Sequence, residues 1–269
     1  MEKGSKIPIS VVITVRNEAA NIRDLLESLS KQDGPFELVA VDSDSDDATG
    51  EIILSYDSIF PVNYLRKRCS RGEGRNLGVQ AARFDFIVFL DGDSVCAENL
   101  LNSYRKHFSA GFELIAGVNR PTGKSQFASL QRVKLVVNGF EITSPSSNLA
   151  YTKALFNRLG GFDPSFVTAE DIDLNFRAVI GNARWVYCED CVAFVKTRST
   201  YRSFLRQAFW NGYGRAQLRL KHWEHWTLVK RAGFGGRSML LQNAFRLFMG
   251  SLGYMYALIR SGKYPFSQA

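Results

Sequence analysis

The sequence predicts an α/β fold, a mostly parallel sheet flanked by helices and followed by a basic amphipathic helical tail. Three observations carry that reading. Over the first 120 residues, short apolar runs rich in β-branched residues alternate with helical patterns, the signature of βαβ units. The polar clusters Arg16-Asn17-Glu18, Asp42 and Asp91-Gly92-Asp93 all follow apolar runs, where open α/β sheets bind their ligands. The net charge of +8 is divided: residues 196–269 hold 13 Lys/Arg against one acid, Glu224, while the rest holds 21 basic and 25 acidic residues.

Taken in order, Ile9 to Val15 reads as a buried strand. A helix follows, with Asn21 as its cap and Ile22, Leu25, Leu26 and Leu29 on one face. Glu37–Val41 is a second strand ending in an Asp/Ser-rich turn. Thr49 to Ile59 is helical, Val62 to Leu65 a short strand and Arg75 to Ala82 a helix. Phe86–Leu90 is a buried strand ending at Asp91. From Val118 to Pro145 the alternation breaks down. Asn148 to Tyr151 reads as a strand, Lys153 to Leu159 as a helix closed by Gly160-Gly161, and Asp171 to Ile180 as a helix. Glu170, Asp171 and Asp173 fall in its first turn, where the helix dipole favours carboxylates. After Val195 the composition shifts to Arg, Trp, Phe and Tyr. Residues 1–198 therefore read as one domain and 199–269 as a tail.

With 269 residues, 45% of them hydrophobic, the chain can bury a substantial core. The polar start, Met1 to Lys6, does not read as a signal peptide. Four cysteines are too few for a disulfide scaffold and fit a reducing compartment; Cys188 and Cys191 read as ordinary buried thiols. His222 and His225 lack a further ligand and read as surface or interfacial residues.

Asp91 and Asp93 stand two apart where a strand ends, so both carboxylates can face one ligand, and Gly92 lets a bulky group approach the backbone. Hard carboxylate oxygens suit Mg²⁺ or Mn²⁺, with diphosphate oxygens and water completing the shell. At a cleft-facing helix start, Glu170 and Asp171 are placed either to accept a proton from an acceptor hydroxyl or to cap the helix.

These segments together resemble a known family. Val11-Val-Ile-Thr-Val-Arg-Asn-Glu18, Val41-Asp-Ser-Asp-Ser-Asp-Asp-Ala-Thr49, Gly74-Arg-Asn-Leu-Gly78, Phe89-Leu-Asp-Gly-Asp93, Gly160-Gly-Phe-Asp163 and Glu170-Asp171 stand in the order seen in family-2 glycosyltransferases. The resemblance covers roughly residues 8–215. It implies a GT-A-type, Rossmann-like fold and an inverting displacement, in which an acceptor attacks the anomeric carbon of a nucleotide sugar. It further implies that Val15, Glu18, Asp42, Arg75 and Asp91 bind the nucleotide and that Asp91 and Asp93 hold the metal. Asp171 would be the catalytic base. Lys196 stands where many relatives place a metal-ligating His, and either touches a phosphate or is solvated. Arg206-Gln207-Ala208-Phe209-Trp210 only partly resembles the Gln/Arg-x-x-Arg-Trp motif of processive members, which argues against a polysaccharide synthase. Glu170, Lys196, Arg206 and Trp210 are candidates for acceptor or phosphate contact.

The tail has no uninterrupted run of 18 apolar residues. Met239 to Ile259 comes closest, with polar or small residues recurring at helical spacing among Leu, Phe, Met and Ile, and with Arg, Lys, Trp and Tyr nearby. That pattern fits a helix in a membrane interface, and equally a helix docked on the domain, an oligomer contact or a truncated membrane protein. The expected donor is a UDP- or GDP-sugar and the expected acceptor a lipid-linked phosphate or glycan. The expected place is cytoplasmic, peripheral at that membrane face. Nucleic acid is excluded as a partner, because its groove would not need Leu240-Leu241 or Leu247-Phe248-Met249. Two other readings compete. A nucleotidyltransferase would need a Gly-rich phosphate loop where this chain reads Val15-Arg-Asn-Glu-Ala, and an inactive membrane-associated binding module would not need Asp91, Asp93 and Asp171 intact. Sugar choice rests on the loop around residues 118–147.

Overall fold

The computed structural model describes residues 6–122, 134–196, 201–232 and 240–261. Residues 123–133, within the loop expected to select the sugar, lie outside the described residues, as do Met239 and the side chains of Gln242 and Asn243. The chain runs β1 (Ile9–Val15), α1 (Ile22–Ser30), β2 (Phe36–Asp42), α2 (Thr49–Leu54), β3 (Val62–Arg66), α3 (Arg71–Ala81), β4 (Phe86–Asp91), β5 (Ser94–Cys96), α4 (Leu100–Ser109) and β6 (Leu114–Thr122). It continues with β7 (Lys134–Val137), β8 (Phe140–Glu141), β9 (Asn148–Thr152), α5 (Lys153–Arg158), α6 (Glu170–Ile180), β10 (Trp185–Lys196) and α7 (Tyr201–Lys221). A 3-10 turn (Trp223–Leu228), β11 (Lys230–Ala232) and α8 (Leu240–Ser261) close it.

Eight strands form the main sheet in the order β3-β2-β1-β4-β9-β6-β10-β5. The strands β1 to β4 pair in parallel and β6 pairs in parallel with β10, whereas β9 and β5 run antiparallel to their neighbours. The mostly parallel sheet read from the sequence is present. Both its faces are covered, as parallel strands require. Val11 and Ile13 of β1 join α1 and α4 in one core; Val12 joins α3, α5 and α6 in the other. Phe89 anchors the second, its ring within 5.7 Å of Phe156 and 5.4 Å of Phe162. Each such buried ring contributes about 1.5–3 kcal/mol of transfer free energy. Helix α3 lies close on β1 because Gly74 and Gly78, one turn apart, face it. A Cβ at Gly74 would stand 2.6 Å from Thr14 Cγ2.

Several local readings differ. Asn21 begins α1, yet its side chain donates to Glu18 Oε2 and caps nothing; the Glu18 carbonyl accepts the first N–H groups instead. The α2 helix stops at Leu54, and α3 starts four residues early, at a capping box in which Ser70 and Glu73 bond each other's backbone N–H. Cys188 and Cys191 are not free thiols but a disulfide, located where β10 bulges between Tyr187 and Val192.

The segment after β10 is bound to the body. Gly214 of α7 abuts Thr168 and Ala169, just before α6. Asp173, 0% exposed, meets Arg177 and Lys221, and His222 Nε2 lies 2.7 Å from its Oδ1. Burial opposes ionisation of Asp173, but the His222 hydrogen bond and the Arg177 and Lys221 charges hold its carboxyl below the usual carboxylate range. The β11 strand pairs with β7, and α8 crosses α7 so closely that a Cβ at Gly212 would meet the Gly250 backbone, and one at Gly253 the Phe209 carbonyl. Among the described residues no helix is long and apolar enough to cross a membrane.

Candidate active site

The parallel register puts the carboxyl ends of three strands side by side: Val15 of β1 is level with Asp42 of β2, and Thr14 with Asp91 of β4. Asp42 is buried and saturated. Its Oδ1 accepts from the Ser45 N–H (2.8 Å) and hydroxyl (2.6 Å), and its Oδ2 from the Tyr64 hydroxyl (2.6 Å). Burial, with this bond, pushes the Tyr64 hydroxyl up to about 12. Asn17 N–H donates to Ser45 Oγ and Glu18 N–H to Thr49 Oγ1, so the Asp/Ser-rich turn holds the exit of β1 from the other side. Glu18 stands partly exposed at this mouth.

Asp91 is the last residue of β4, and Gly92-Asp93 make the turn into β5. The neighbour that needs Gly92 is the protein itself: a Cβ there would stand 2.9 Å from Val15 Cγ1 and 3.4 Å from Glu18 Cγ. Gly92 thus closes the strand ends together, rather than leaving room for a ligand as the sequence suggested. Asp91 and Asp93 supply hard oxygen donors that fit Mg²⁺ or Mn²⁺. Among the described residues no group of three His, Cys, Asp or Glu completes a cage, so the rest of such a shell would come from diphosphate and water. Lys196 lies one step beyond the Val195–Ser94 pair and bonds Asn21, at the start of α1, and Asp24 at 2.9 Å each.

Arg75 ties the two ends of the site. Its guanidinium, 2% exposed, donates to Asp91 Oδ1 (3.0 Å) and to Glu170 Oε1 (2.9 Å), across 95 residues of sequence. Burial disfavours the charge on Arg75, but Asp91, Glu170 and Asp171 outweigh it and raise its affinity for the proton. The next residue, Asn76, clamps the Phe162 backbone, donating to its carbonyl and accepting from its N–H. The Gly74–Gly78 and Gly160–Asp163 segments therefore meet through Asn76.

Asp171, next to Glu170, accepts from the Ile172 N–H (2.8 Å) on Oδ1 and the Ser146 N–H (3.2 Å) on Oδ2. Burial and the Glu170 charge, opposed by Arg75 and these two bonds, push its carboxyl up to about 6. Asp171 lines a cavity of about 720 Å³ together with Asp91, Arg75 and Glu170. Residues of α7 and α8 and Arg231 of β11 line the same cavity. From α7 it takes Gln207, Asn211, Arg215 and Arg219, each four residues after the last and so stacked on one helix face. Arg206 is exposed and Trp210 packs edge-on to Phe209 and Tyr213, because a step of one residue turns each off that face.

A family model described as "Glycosyl transferase family 2" matches residues 10–167, more than half of the chain and the span that supplies Asp91 and Arg75. The chain belongs to glycosyl transferase family 2. Among family relatives, the pre-mycofactocin glycosyltransferase of Mycobacterium tuberculosis is 28% identical over 238 residues, 80% of this chain and 48% of that protein. The chain thus spans about half the length of this curated relative. Two solved structures share the fold. TarS of Staphylococcus aureus in complex with UDP-GlcNAc has a TM-score of 0.62 at 18% identity, over 96% of this chain and 93% of that one. The mannosyltransferase PcManGT of Pyrobaculum calidifontis, in complex with GDP-Man and Mn²⁺, has a TM-score of 0.64 at 19% identity, over 96% and 76%. The family-2 sheet brings Val15, Asp42 and Asp91 together at strand ends, and joins Asp91 to the Glu170-Asp171 pair through Arg75. Val15, Glu18, Asp42, Asp93, Lys196, Arg206 and Trp210 stand outside the cavity lining. The α7 residues that do line it were missed by the sequence reading, although their four-residue spacing is visible in it.

Proposed function

We propose that this chain is an inverting glycosyltransferase that moves a sugar from a UDP- or GDP-linked donor to an acceptor in the cavity. One observation supports the reading: Arg75 joins Asp91, at the strand ends, to Glu170, beside Asp171, and these four residues line one cavity. The nucleoside would lie along Val15, Glu18 and Asp42, with Arg75 positioning Asp91 rather than touching the donor. Asp91 and Asp93 would hold Mn²⁺ or Mg²⁺, which when bound offsets charge on a departing diphosphate. Asp171 would take the proton of a hydroxyl acceptor, or orient an acceptor phosphate that is already ionised. A carboxyl near 6 is ionised at neutral pH yet basic enough for that task. Its two backbone N–H donors fix its orientation.

We further propose a lipid-linked acceptor, a glycan or phosphate, reached by peripheral contact with an anionic membrane face. Support comes from α8, whose Phe245 and Phe248 are each 60% exposed and whose Leu247 and Met255 also line the cavity. The donor reading is tested by thermal shift with UDP-, GDP- and dTDP-sugars in Mn²⁺ or EDTA. At least one UDP- or GDP-sugar is expected to stabilise the protein only with metal, and no response to any donor would sink the reading.

A further inference from the structure

Six arginines and three carboxylates line the cavity. Arg75 is bonded to two of the carboxylates, Asp91 and Glu170. Of the other arginines, Arg215 comes from α7, Arg231 from β11 and Arg246 from α8, three elements that share no local sequence. Leu135 of β7, level with Arg231 in the β7–β11 pairing, lines the same cavity. Burial, joined by the charges of Arg231 and Arg246, holds the Arg215 guanidinium below the usual arginine range. An anion entering the cavity would meet positive charge from three separate elements, and planar guanidinium groups match the paired oxygens of a phosphate.

We infer that Arg215, Arg231 and Arg246 form a phosphate-binding subsite that holds the acceptor, as a phosphate mono- or diester, in the cavity that Asp91 also lines. The inference rests on the reading of this cavity as the acceptor site. Apolar residues share the lining with the trio: Leu135, Trp226, and Leu247 and Met255 of α8. A phosphate joined to a hydrocarbon chain therefore suits the cavity, and so does a phosphate joined to a sugar; the two sources are told apart by the probes.

The test is equilibrium binding by calorimetry of farnesyl phosphate in detergent and of glucose 1-phosphate, with farnesol and glucose as neutral controls. Wild type is compared with Arg215→Gln, Arg231→Gln and Arg246→Gln. Arg231→Lys, which keeps the charge but not the fork, covers a Gln variant that does not fold. At least one phosphate probe is expected to bind where its neutral counterpart does not. Each Gln variant should weaken it at least tenfold, with the UDP or GDP response in Mn²⁺ unchanged. Farnesyl phosphate binding alone assigns the subsite to a lipid headgroup, and glucose 1-phosphate binding to a phosphorylated glycan; either supports it. The inference is overturned if neither phosphate binds wild type, if the Gln and Lys variants bind as wild type does, or if they lose the nucleotide response in step. Phosphate binding through the trio without any nucleotide response would instead remove the donor reading and leave the subsite standing.

Discussion

At the residue scale, chemistry and stability pull Asp171 in opposite directions. Its carboxyl is raised to about 6, above the ordinary value, so the fold favours the protonated form. The stabilising contribution is complete below the unfolded value near 4 and is lost as pH rises through about 6. At pH 8 the ionised group therefore costs stability, and solvent in the cavity keeps that cost to about 1–2 kcal/mol. Asp171→Asn is expected to reduce kcat by about 10²–10⁴-fold while raising Tm at pH 8 by about 2–4 °C, an advantage that vanishes at pH 4. A variant that loses both activity and Tm would assign Asp171 to structure. If Asp171 is the base, the acidic limb of kcat/KM is expected near pH 6. Glu170 pushes that carboxyl up, so Glu170→Gln should move the limb to lower pH. An unmoved limb would mean that another group is titrating.

At the scale of elements, what could be read in the sequence followed how local the cause was. The strands β1, β2 and β4 were visible because a buried parallel strand is apolar throughout, and the carboxylates at their ends because nothing apolar continues past them. The Ser70–Glu73 box that starts α3 was equally visible and was passed over. What could not be read was convergence. Nothing near Arg75 in sequence announces Glu170, and nothing near Arg215 announces Arg231 or Arg246, since tertiary packing alone joins them. Side-chain cap logic failed at Asn21 for a similar reason: its side chain found Glu18 and Lys196 instead. The α7–α8 crossing also depends on distant partners. Gly212→Val is expected to force the helices apart, weakening α8 docking by about 2 kcal/mol or more. Faster protease cleavage within 240–261, with β1 to β4 still protected, is the expected result; unchanged cleavage would show that the crossing tolerates a side chain.

For the whole molecule, the basic segment and the acidic body are joined by buried charge rather than by apolar area alone. Asp173 anchors α6 to the end of α7 through Lys221 and His222, so Asp173→Asn should lower stability by about 2–3 kcal/mol in urea titrations. A loss under 0.5 kcal/mol would mean that packing holds α7 without it. Membrane contact belongs to this scale as well. Co-sedimentation with anionic vesicles should fall steeply between 50 and 500 mM salt, on the order of tenfold, and Phe245→Ser/Phe248→Ser should lower it further. Binding insensitive to both would contradict the lipid-linked reading. Arg75 carries a consequence of another kind. One guanidinium is shared by a strand end, Asp91, and a helix start, Glu170, 79 residues apart, so neither can open without releasing the other. The amides of α3, the end of β4 and the start of α6 should then exchange with solvent as one cooperative unit, at a common rate and with a common denaturant dependence.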